Sequence, residues 1–402
     1  MNPKLWLLGK VATVGALVVA EKVRPAPARR REQVPASGAA ITTDWLTDVL
    51  CRDTPGAAVV SFSNPGGSSG TSERMALRVE YNEAGRVAGL PTELFTKATL
   101  SFQQRILLGG AGALEGEARF YKGLRGKADI EAPIGYWGAV DMRSWKMISI
   151  MEDIAATKGA EFLEPTTGFT EAEIRDLVLN LARLHAALWG DPGITGLKTP
   201  AEYLERTGHF LDIRKRSAVG MERAREVMPP GLLGQADRLY EATIKSMDIA
   251  TYELPRTLLH GDCHAGQTYR TADGRMGIAD WQALQQGGWA FDVAYLVNTG
   301  CEPEQRRAWQ DGLIEAYVAE LAEHGGPRLS FEEAFLAYRQ QAFWPYTAWA
   351  FTIGRAAYQP EMQPVPTCLA IIRRSAAAIE DLDALSSLDE RLPTRHNNKA
   401  RT

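Results

Sequence analysis

Cysteine is scarce in this chain of 402 residues. Cys51, Cys263, Cys301 and Cys368 are its four, they lie far apart, and none belongs to a CxxC pair. That spacing excludes a disulfide-dense small fold and the paired-thiolate zinc patterns. Free thiols in a reducing compartment are the expectation, although the even count leaves disulfides open. Charge of one sign is also lacking: 45 basic residues face 49 acidic ones, for a net charge of −4. No overall basic field exists for nucleic acid, and no long acidic tail is present. A long uninterrupted apolar run is missing too. The stretch Leu5 to Ala20 is broken by Lys10, and it falls short of the roughly 20 residues needed to span a bilayer. Its small-residue cleavage pattern is poor for a signal peptide. An uncleaved N-terminal helix is favoured, with membrane contact by residues 1–24 as the lesser reading, and a cytoplasmic location is expected.

What is present is an ordinary globular composition, 45% hydrophobic and 23% charged, enough for two or three domains. Residues 1–40 read as an apolar and basic leader followed by a linker rich in Pro, Ala and Arg. Residues 41–153 read as a small β-rich unit. Its parts are a short helix in "TTDWLTDVL", a strand at Ala57 to Phe62, a Gly-rich loop "SNPGGSSGTS", a strand at Arg74 to Tyr81, a strand at Glu93 to Thr99, a helix in "ALEGEARFYKGL" and a strand at Trp145 to Ile154. Residues 154–385 turn helical. "TEAEIRDLVLNLARLHAALWG" opens with the capping box Thr170/Glu173, and its apolar face carries Ile174, Leu177, Val178, Leu181, Leu184 and Leu188. Further helices are expected near 200–220, 233–249, 304–324, 331–357 and 364–385. Residues 386–402 form a polar tail with the composition of disorder.

Two short strand patterns in the second half flank "HGDCHAGQ", His260 to Gln267. Asp262 is followed five residues later by Gln267 and eighteen residues later by Asp280, in "IADW". A strand, an acid, an amide, then a second acid suits Mg-nucleotide chemistry. Phosphoryl transfer needs an oriented hydroxyl, held phosphates and neutralised charge. One carboxylate orients the hydroxyl, while a second carboxylate and an amide oxygen suit Mg²⁺, a hard ion that prefers oxygen ligands. The same eight residues admit a metal-dependent hydrolase using His260, Asp262, Cys263 and His264, but a His-x-x-x-His on a loop does not set both rings on one face as a helix would.

"HGDCHAGQ…IADW" resembles the "HGDxHxxN…xxDW" signature of the aminoglycoside phosphotransferase and choline kinase-like superfamily, and the bacterial ecdysteroid kinase-like members look nearest. The resemblance runs over roughly residues 45 to 360. It implies an α+β, bilobal protein-kinase-like fold with a β-rich N-lobe and a larger, mainly helical C-lobe. It also implies an ATP- and Mg²⁺-dependent enzyme that phosphorylates a small-molecule hydroxyl acceptor. Asp262 takes the catalytic role, Gln267 and Asp280 the metal. Gly66, Gly67 and Gly70 would cover the nucleotide, Lys97 would contact its phosphates, Glu117 (in competition with Glu115) would partner the lysine, and Glu152 to Ile154 would meet the adenine. Asp292, in "GGWAFDVAYL", would brace the catalytic loop. The family has Asn where this chain has Gln267, which keeps open a pseudokinase that binds nucleotide without transfer. The acceptor is not encoded in any motif. "QQAFWPYTAWAFTIG" offers Trp344, Tyr346, Trp349 and Phe351 either as an apolar acceptor wall or as helix core, and its lack of acids argues against a polycationic aminoglycoside.

Overall fold

The computed structural model describes residues 3–24, 26–70, 72–357, 359 and 361–391. The chain divides into two compact units, Met1–Phe162 with Tyr269–Leu284, and Leu163–Thr268 with Gln285–Thr402.

The first unit contains helices α1 (Pro3–Val23), α2 (Thr43–Leu50), α3 (Glu83–Val87), α4 (Phe102–Ala111), α5 (Gly116–Arg119) and α6 (Ile154–Lys158). Its strands are β1 (Val59–Ser69), β2 (Glu73–Tyr81), β3 (Glu93–Ala98), β4 (Gly135–Asp141), β5 (Lys146–Glu152) and β6 (Glu161–Phe162). β1 to β5 form an antiparallel sheet in the order β1-β2-β3-β5-β4. Alternation in β2 sets Leu77, Val79 and Tyr81 inward and Arg78 and Glu80 outward. Those inward side chains pack with Trp45, Leu46, Leu94, Ile148 and Ile150. Thr42 caps α2 by accepting from the Trp45 N–H at 3.1 Å, which fixes where Trp45 enters that core.

The Gly-rich stretch departs from the sequence expectation of a loop. It is the outer arm of the β1–β2 hairpin: Gly66 pairs with Ala76 and Gly67 with Met75, after a register shift between Ser63 and Gly66. A Cβ on Gly67 would lie 2.4 Å from the Arg74 carbonyl oxygen, so this position requires glycine, whereas Gly66 and Gly70 face open space. Thr71 of the same stretch lies outside the described residues. The helix expected around Glu117 is also shorter than its apolar spacing suggested. α5 gives way at Phe120 to a π-helical turn, Phe120–Leu124. Gly135 of β4 makes room for that turn, because a Cβ there would meet the Tyr121 carbonyl oxygen at 2.5 Å, and Gly138 does the same for α5, where a Cβ would meet the Ala118 carbonyl oxygen at 2.1 Å.

The chain enters the second unit through α7 (Glu171–Ala187), α8 (Pro200–Leu211), α9 (Ile213–Arg223), α10 (Ala236–Asp248) and β7 (Arg256–Leu259). It returns to the first unit for the hairpin strands β8 (Thr268–Arg270) and β9 (Met276–Ile278), which join β6 in a small sheet. It then closes the second unit with β10 (Gln285–Gly288), α11 (Ala290–Gly300), α12 (Pro303–Glu323), α13 (Phe331–Gln340), α14 (Phe343–Ile353), α15 (Val365–Asp381) and α16 (Ala384–Ser387). The expected capping box of α7 is formed, and the apolar face named from the sequence is buried. The helix expected near 200–220 breaks at Asp212, whose φ of 56° is left-handed. The one expected over 331–357 breaks between Gln340 and Phe343. Residues 392–402 of the polar tail lie outside the described residues. α11 is buried all round, so its polar residues can look only to other parts of the protein for partners, and the Asn298 side-chain amide nitrogen has none among the described residues. The α+β architecture of a β-rich unit and a mainly helical one is the one the sequence led us to expect.

Candidate active site

The candidate residues fall into two groups, one in each unit. In the first unit, β3 sets Lys97 opposite Arg74 on one neighbour and Ser149 on the other. Its ammonium reaches the Glu117 carboxylate from α5 at 3.4 Å and makes a short bond to Asp280. Three segments far apart in sequence therefore meet at one buried lysine, 4% exposed. Burial alone would lower its pKa, but the charges of Asp280 and Glu117 more than offset that and raise it. Glu117 responds differently. Its burial pushes its pKa up to about 7 against the pull of Lys97, and Asp280 adds like-charge repulsion. Its second oxygen, Oε2, is buried with no hydrogen-bond partner, which is the surrounding of a carboxyl that holds its proton readily. Glu117, not Glu115, is thus the partner of the lysine.

Asp280 sits just past β9 in the left-handed region, φ 59° and ψ 65°. A non-glycine residue there costs energy and persists only where its surroundings over-determine it. One such constraint is next in the chain: Trp281 stacks on Phe120 with ring centroids 3.7 Å apart. That stack ties the segment carrying Asp280 to the π-helical turn that follows Glu117.

Of the remaining first-unit candidates, Gly70 is held by its carbonyl, which accepts from the Gln104 side chain at 3.1 Å. Gln104 also closes the capping box of α4. The Glu152 carboxylate is committed within its own unit: it accepts from the Ile134 N–H and the Thr157 hydroxyl and pairs with Lys158 at 3.3 Å. Ile154 opens α6 and packs against Tyr269 and Ala279.

In the second unit the loop after β7 carries Asp262. Asp292, fully buried on α11, accepts from the N–H of His260 at 2.6 Å and from that of Gly261 at 2.9 Å. His185 of α7 lies against the same carboxylate at 3.4 Å and against the Tyr317 hydroxyl at 2.8 Å. These bonds make Asp292 a brace. Both loop histidines are fasteners: His260 Nδ1 accepts from the Asp262 N–H at 3.3 Å, and His264 Nδ1 from the Gly266 N–H at 3.1 Å. Cys263 is buried, and burial holds its thiol well above the ordinary range, far from thiolate character. Among the described residues no group of three or more His, Cys, Asp or Glu is placed to hold a metal ion.

The Asp262 side chain is 40% exposed. The Tyr295 hydroxyl on α11 is hydrogen-bonded to it and accepts from Trp349 Nε1 at 3.1 Å. Burial and the charge of Asp262 raise the pKa of Tyr295, which keeps the phenol protonated. Tyr295 did not stand out in the sequence. Its signal was its position three residues after Asp292, on the same face of a helix. The aromatic stretch of α14 is mainly core. Trp344, Tyr346, Trp349 and Phe351 are all buried. Trp349 lies edge-on to His264 at 5.0 Å, and Trp344 edge-on to Tyr203 at 6.0 Å. Gln267 ends a 3-10 turn and is half-buried.

Comparison with known proteins adds the following. A family model described as the phosphotransferase enzyme family (APH) matches residues 105–331, more than half of the chain. The match takes in Glu117, Asp262, Gln267, Asp280 and Asp292, and starts after Lys97 and the Gly-rich arm. No curated protein matches in sequence. Similar solved structures include the choline kinase LicA from Streptococcus pneumoniae, 12% identical over 81% of this chain and 94% of that one, TM-score 0.41. A choline/ethanolamine kinase family protein from Mesorhizobium loti is 14% identical over 82% and 92%, TM-score 0.47. The aminoglycoside phosphotransferase APH(3'')-Id from Streptomyces rimosus, in complex with ADP and streptomycin, is 15% identical over 74% and 94%, TM-score 0.41.

Proposed function

The chain belongs to the phosphotransferase enzyme family, and we propose that it transfers the γ-phosphoryl group of ATP to a hydroxyl of a small molecule, with Mg²⁺ as cofactor. The observation that carries this reading is Lys97, buried between Glu117 and Asp280. A buried lysine with two acids is expensive as mere structure, since replacing such groups with apolar residues is often neutral or stabilising. It makes sense where the ammonium must be aimed at phosphate oxygens, with Glu117 holding it and Asp280 exchanging it for a metal ion.

Each unit carries an oxygen donor of the kind a hard dication takes. Asp280 offers a carboxylate that is partly exposed, and Gln267 an amide oxygen five residues after Asp262. Asp280 in the first unit and Gln267 in the second would each be a candidate ligand of Mg²⁺, and the chemistry the ion would supply is neutralisation of phosphate charge. The other steps belong to this chain's own residues. Lys97 holds phosphate oxygens. Asp262, partly exposed and steadied by Tyr295, accepts the hydrogen bond of the acceptor hydroxyl. The hydroxyl oxygen forms its bond to the γ-phosphorus as the bond from that phosphorus to the β–γ bridging oxygen breaks. ADP leaves with that electron pair, and the hydroxyl proton passes to Asp262. Asp292 and His260 keep the loop in place while this happens. Tyr203 and Tyr295 beside Asp262 favour an alcohol with an apolar body over a polycation.

An ADP-release assay across a panel of alcohols, with wild type beside Asp262→Asn, tests the reading. Acceptor-dependent ADP release in wild type that disappears in the variant is the expected result. Intact Mg-ATP binding with no release for any acceptor would leave the chain a nucleotide-binding module.

A further inference from the structure

Helix α1 is docked on the first unit by one face only. Val14 and Val18 are buried with Leu108, Leu114, Trp145 and Met147. Glu21 pairs with Arg105 at 2.6 Å and Lys146 at 2.9 Å. Lys10, the charge that interrupts the apolar run, is turned to the β4–β5 connection. Its ammonium donates to the carbonyls of Met142 at 2.7 Å and Arg143 at 3.1 Å and lies over the Trp145 ring.

The opposite face is bare. Leu8 is 65% exposed, Val19 61% and Val23 72%, with Ala12, Ala16 and Ala20 exposed between them. The spacing Leu8, Ala12, Ala16, Val19, Val23 is that of one helical stripe about 22 Å long on a 21-residue helix. The face has no polar handle. Its one hydroxyl, Thr13, donates back to the Gly9 carbonyl at 2.9 Å, so it asks nothing of a partner. Protein interfaces normally carry a hydrogen bond per 100–200 Å² and a polar rim, and this stripe offers neither.

A basic segment follows directly. Lys22, Arg24, Arg29, Arg30 and Arg31 fall within ten residues that contain no acid, in a chain whose net charge is −4. Arg31 is used internally, over the Trp137 ring. Lys22, Arg24, Arg29 and Arg30 are exposed and have no side-chain partner among the described residues. Among the described residues no helix is long and apolar enough to cross a membrane, and an apolar helix face with cations beside it is the pattern of a helix that lies in the interfacial plane.

We infer that the outer face of α1 rests in the plane of an anionic membrane surface, with Leu8, Val19 and Val23 in the acyl boundary and Lys22, Arg24, Arg29 and Arg30 at the headgroups. The charge complementarity selects the partner: a cluster of cations beside an apolar in-plane helix is attracted to anionic lipid and gains little from a neutral surface.

Vesicle co-sedimentation of the full chain tests this, with phosphatidylcholine vesicles against phosphatidylcholine doped with phosphatidylglycerol. Wild type is expected to partition to the anionic vesicles roughly tenfold or more over the neutral ones, and less at high salt. Leu8→Glu with Val19→Glu should abolish pelleting on both. Lys22→Gln, Arg24→Gln, Arg29→Gln and Arg30→Gln together should remove the preference for anionic lipid. All six side chains are exposed, so thermal melting should stay at the wild-type value and exclude misfolding. The inference falls if wild type stays in the supernatant, if the glutamate pair pellets as wild type does, or if wild type forms a vesicle-free dimer that the glutamate pair dissolves, which would give the face to a second copy of the chain.

Discussion

Asp280 in the first unit and Asp262 in the second each follow a short strand, and their surroundings differ in kind. Asp280 has an ion pair to Lys97, a left-handed backbone of its own and a neighbour, Trp281, stacked on Phe120, so its distant partners are Lys97 and, through Trp281, Phe120. The loop that carries Asp262 is held by hydrogen bonds to the ring nitrogens of its own His260 and His264 and by the Asp292 carboxylate of one buried helix. The first arrangement suits a group that must exchange partners, since an ion pair can give way to a metal ion and phosphates. The second suits a group that must stay aimed at one atom, where a displacement of about 1 Å costs orders of magnitude in rate. The contrast teaches that the candidate acid of the first unit is fixed by an ion pair and that of the second by a hydrogen-bonded loop.

The strongest way to break this comparison is to remove the exchanging acid. Asp280→Ala should abolish Mg²⁺-dependent ATP binding in calorimetry while Lys97 keeps Glu117 and the fold survives. Unchanged Mg-ATP affinity would make Asp280 a structural ion-pair partner only. In the second unit, Asp262→Asn should keep Mg-ATP affinity within a few fold and lower kcat by about 10² or more. A loss of affinity without a loss of turnover would exchange the two roles.

The buried acid of the first unit also gives a pH signature. An acid whose folded pKa lies above its unfolded value binds its proton more tightly when folded. Its stabilising contribution is complete below the ordinary value of 4.5 and is lost as the pH rises through about 7. Nucleotide-free protein should therefore lose stability between those values, by an amount on the order of a few kcal/mol or less, and Glu117→Gln should flatten that slope in melting curves at pH 5 and pH 8. An equal slope in wild type and variant would show that Glu117 is ionised throughout.

Smaller effects sharpen the picture of the second unit. Tyr295→Phe removes a hydrogen bond to a carboxylate, a contact worth about 1.5–3 kcal/mol, so kcat should fall by roughly tenfold with the ATP KM unchanged. The acidic limb of the pH–rate profile should also move up, because the ionised form of Asp262 loses a donor. A purely structural Tyr295 would leave that limb in place. Least of all, Gln267→Asn should keep measurable transfer, whereas Gln267→Ala should raise the Mg²⁺ requirement. Identical Mg²⁺ titrations in wild type and both variants would make Gln267 a bystander.

Much of the second unit could be read in the chain because its determinants are local. Asp262, His260, Gly266 and Gln267 sit within eight residues, so the loop could be recognised as a chemical unit, and the capping box of α7 needed four. Helix periodicity named the buried face of α7 because a helix exposes its burial pattern every three to four residues. The first unit resisted the same treatment. The glycines of β1 look like a loop until the β2 strand opposite them is known, since hydrogen-bonded pairing is a property of two segments. The choice between Glu117 and Glu115 could not be made from spacing along a helix that turns π-helical at Phe120.

By itself, the sequence determined the order and spacing of the candidate residues and which of them sit together in the loop that carries Asp262. Only the tertiary structure decided which of them meet. Lys97, Glu117 and Asp280 converge across 20 and 183 positions of chain, the brace of Asp292 reaches 32 positions back, and Tyr295 of the buried helix α11 lies against Asp262. The physical reason is that local hydrogen bonds and side-chain periodicity are written in neighbouring residues. The position of a charge in a low-dielectric interior depends on packing between elements whose separation along the chain carries no record of it.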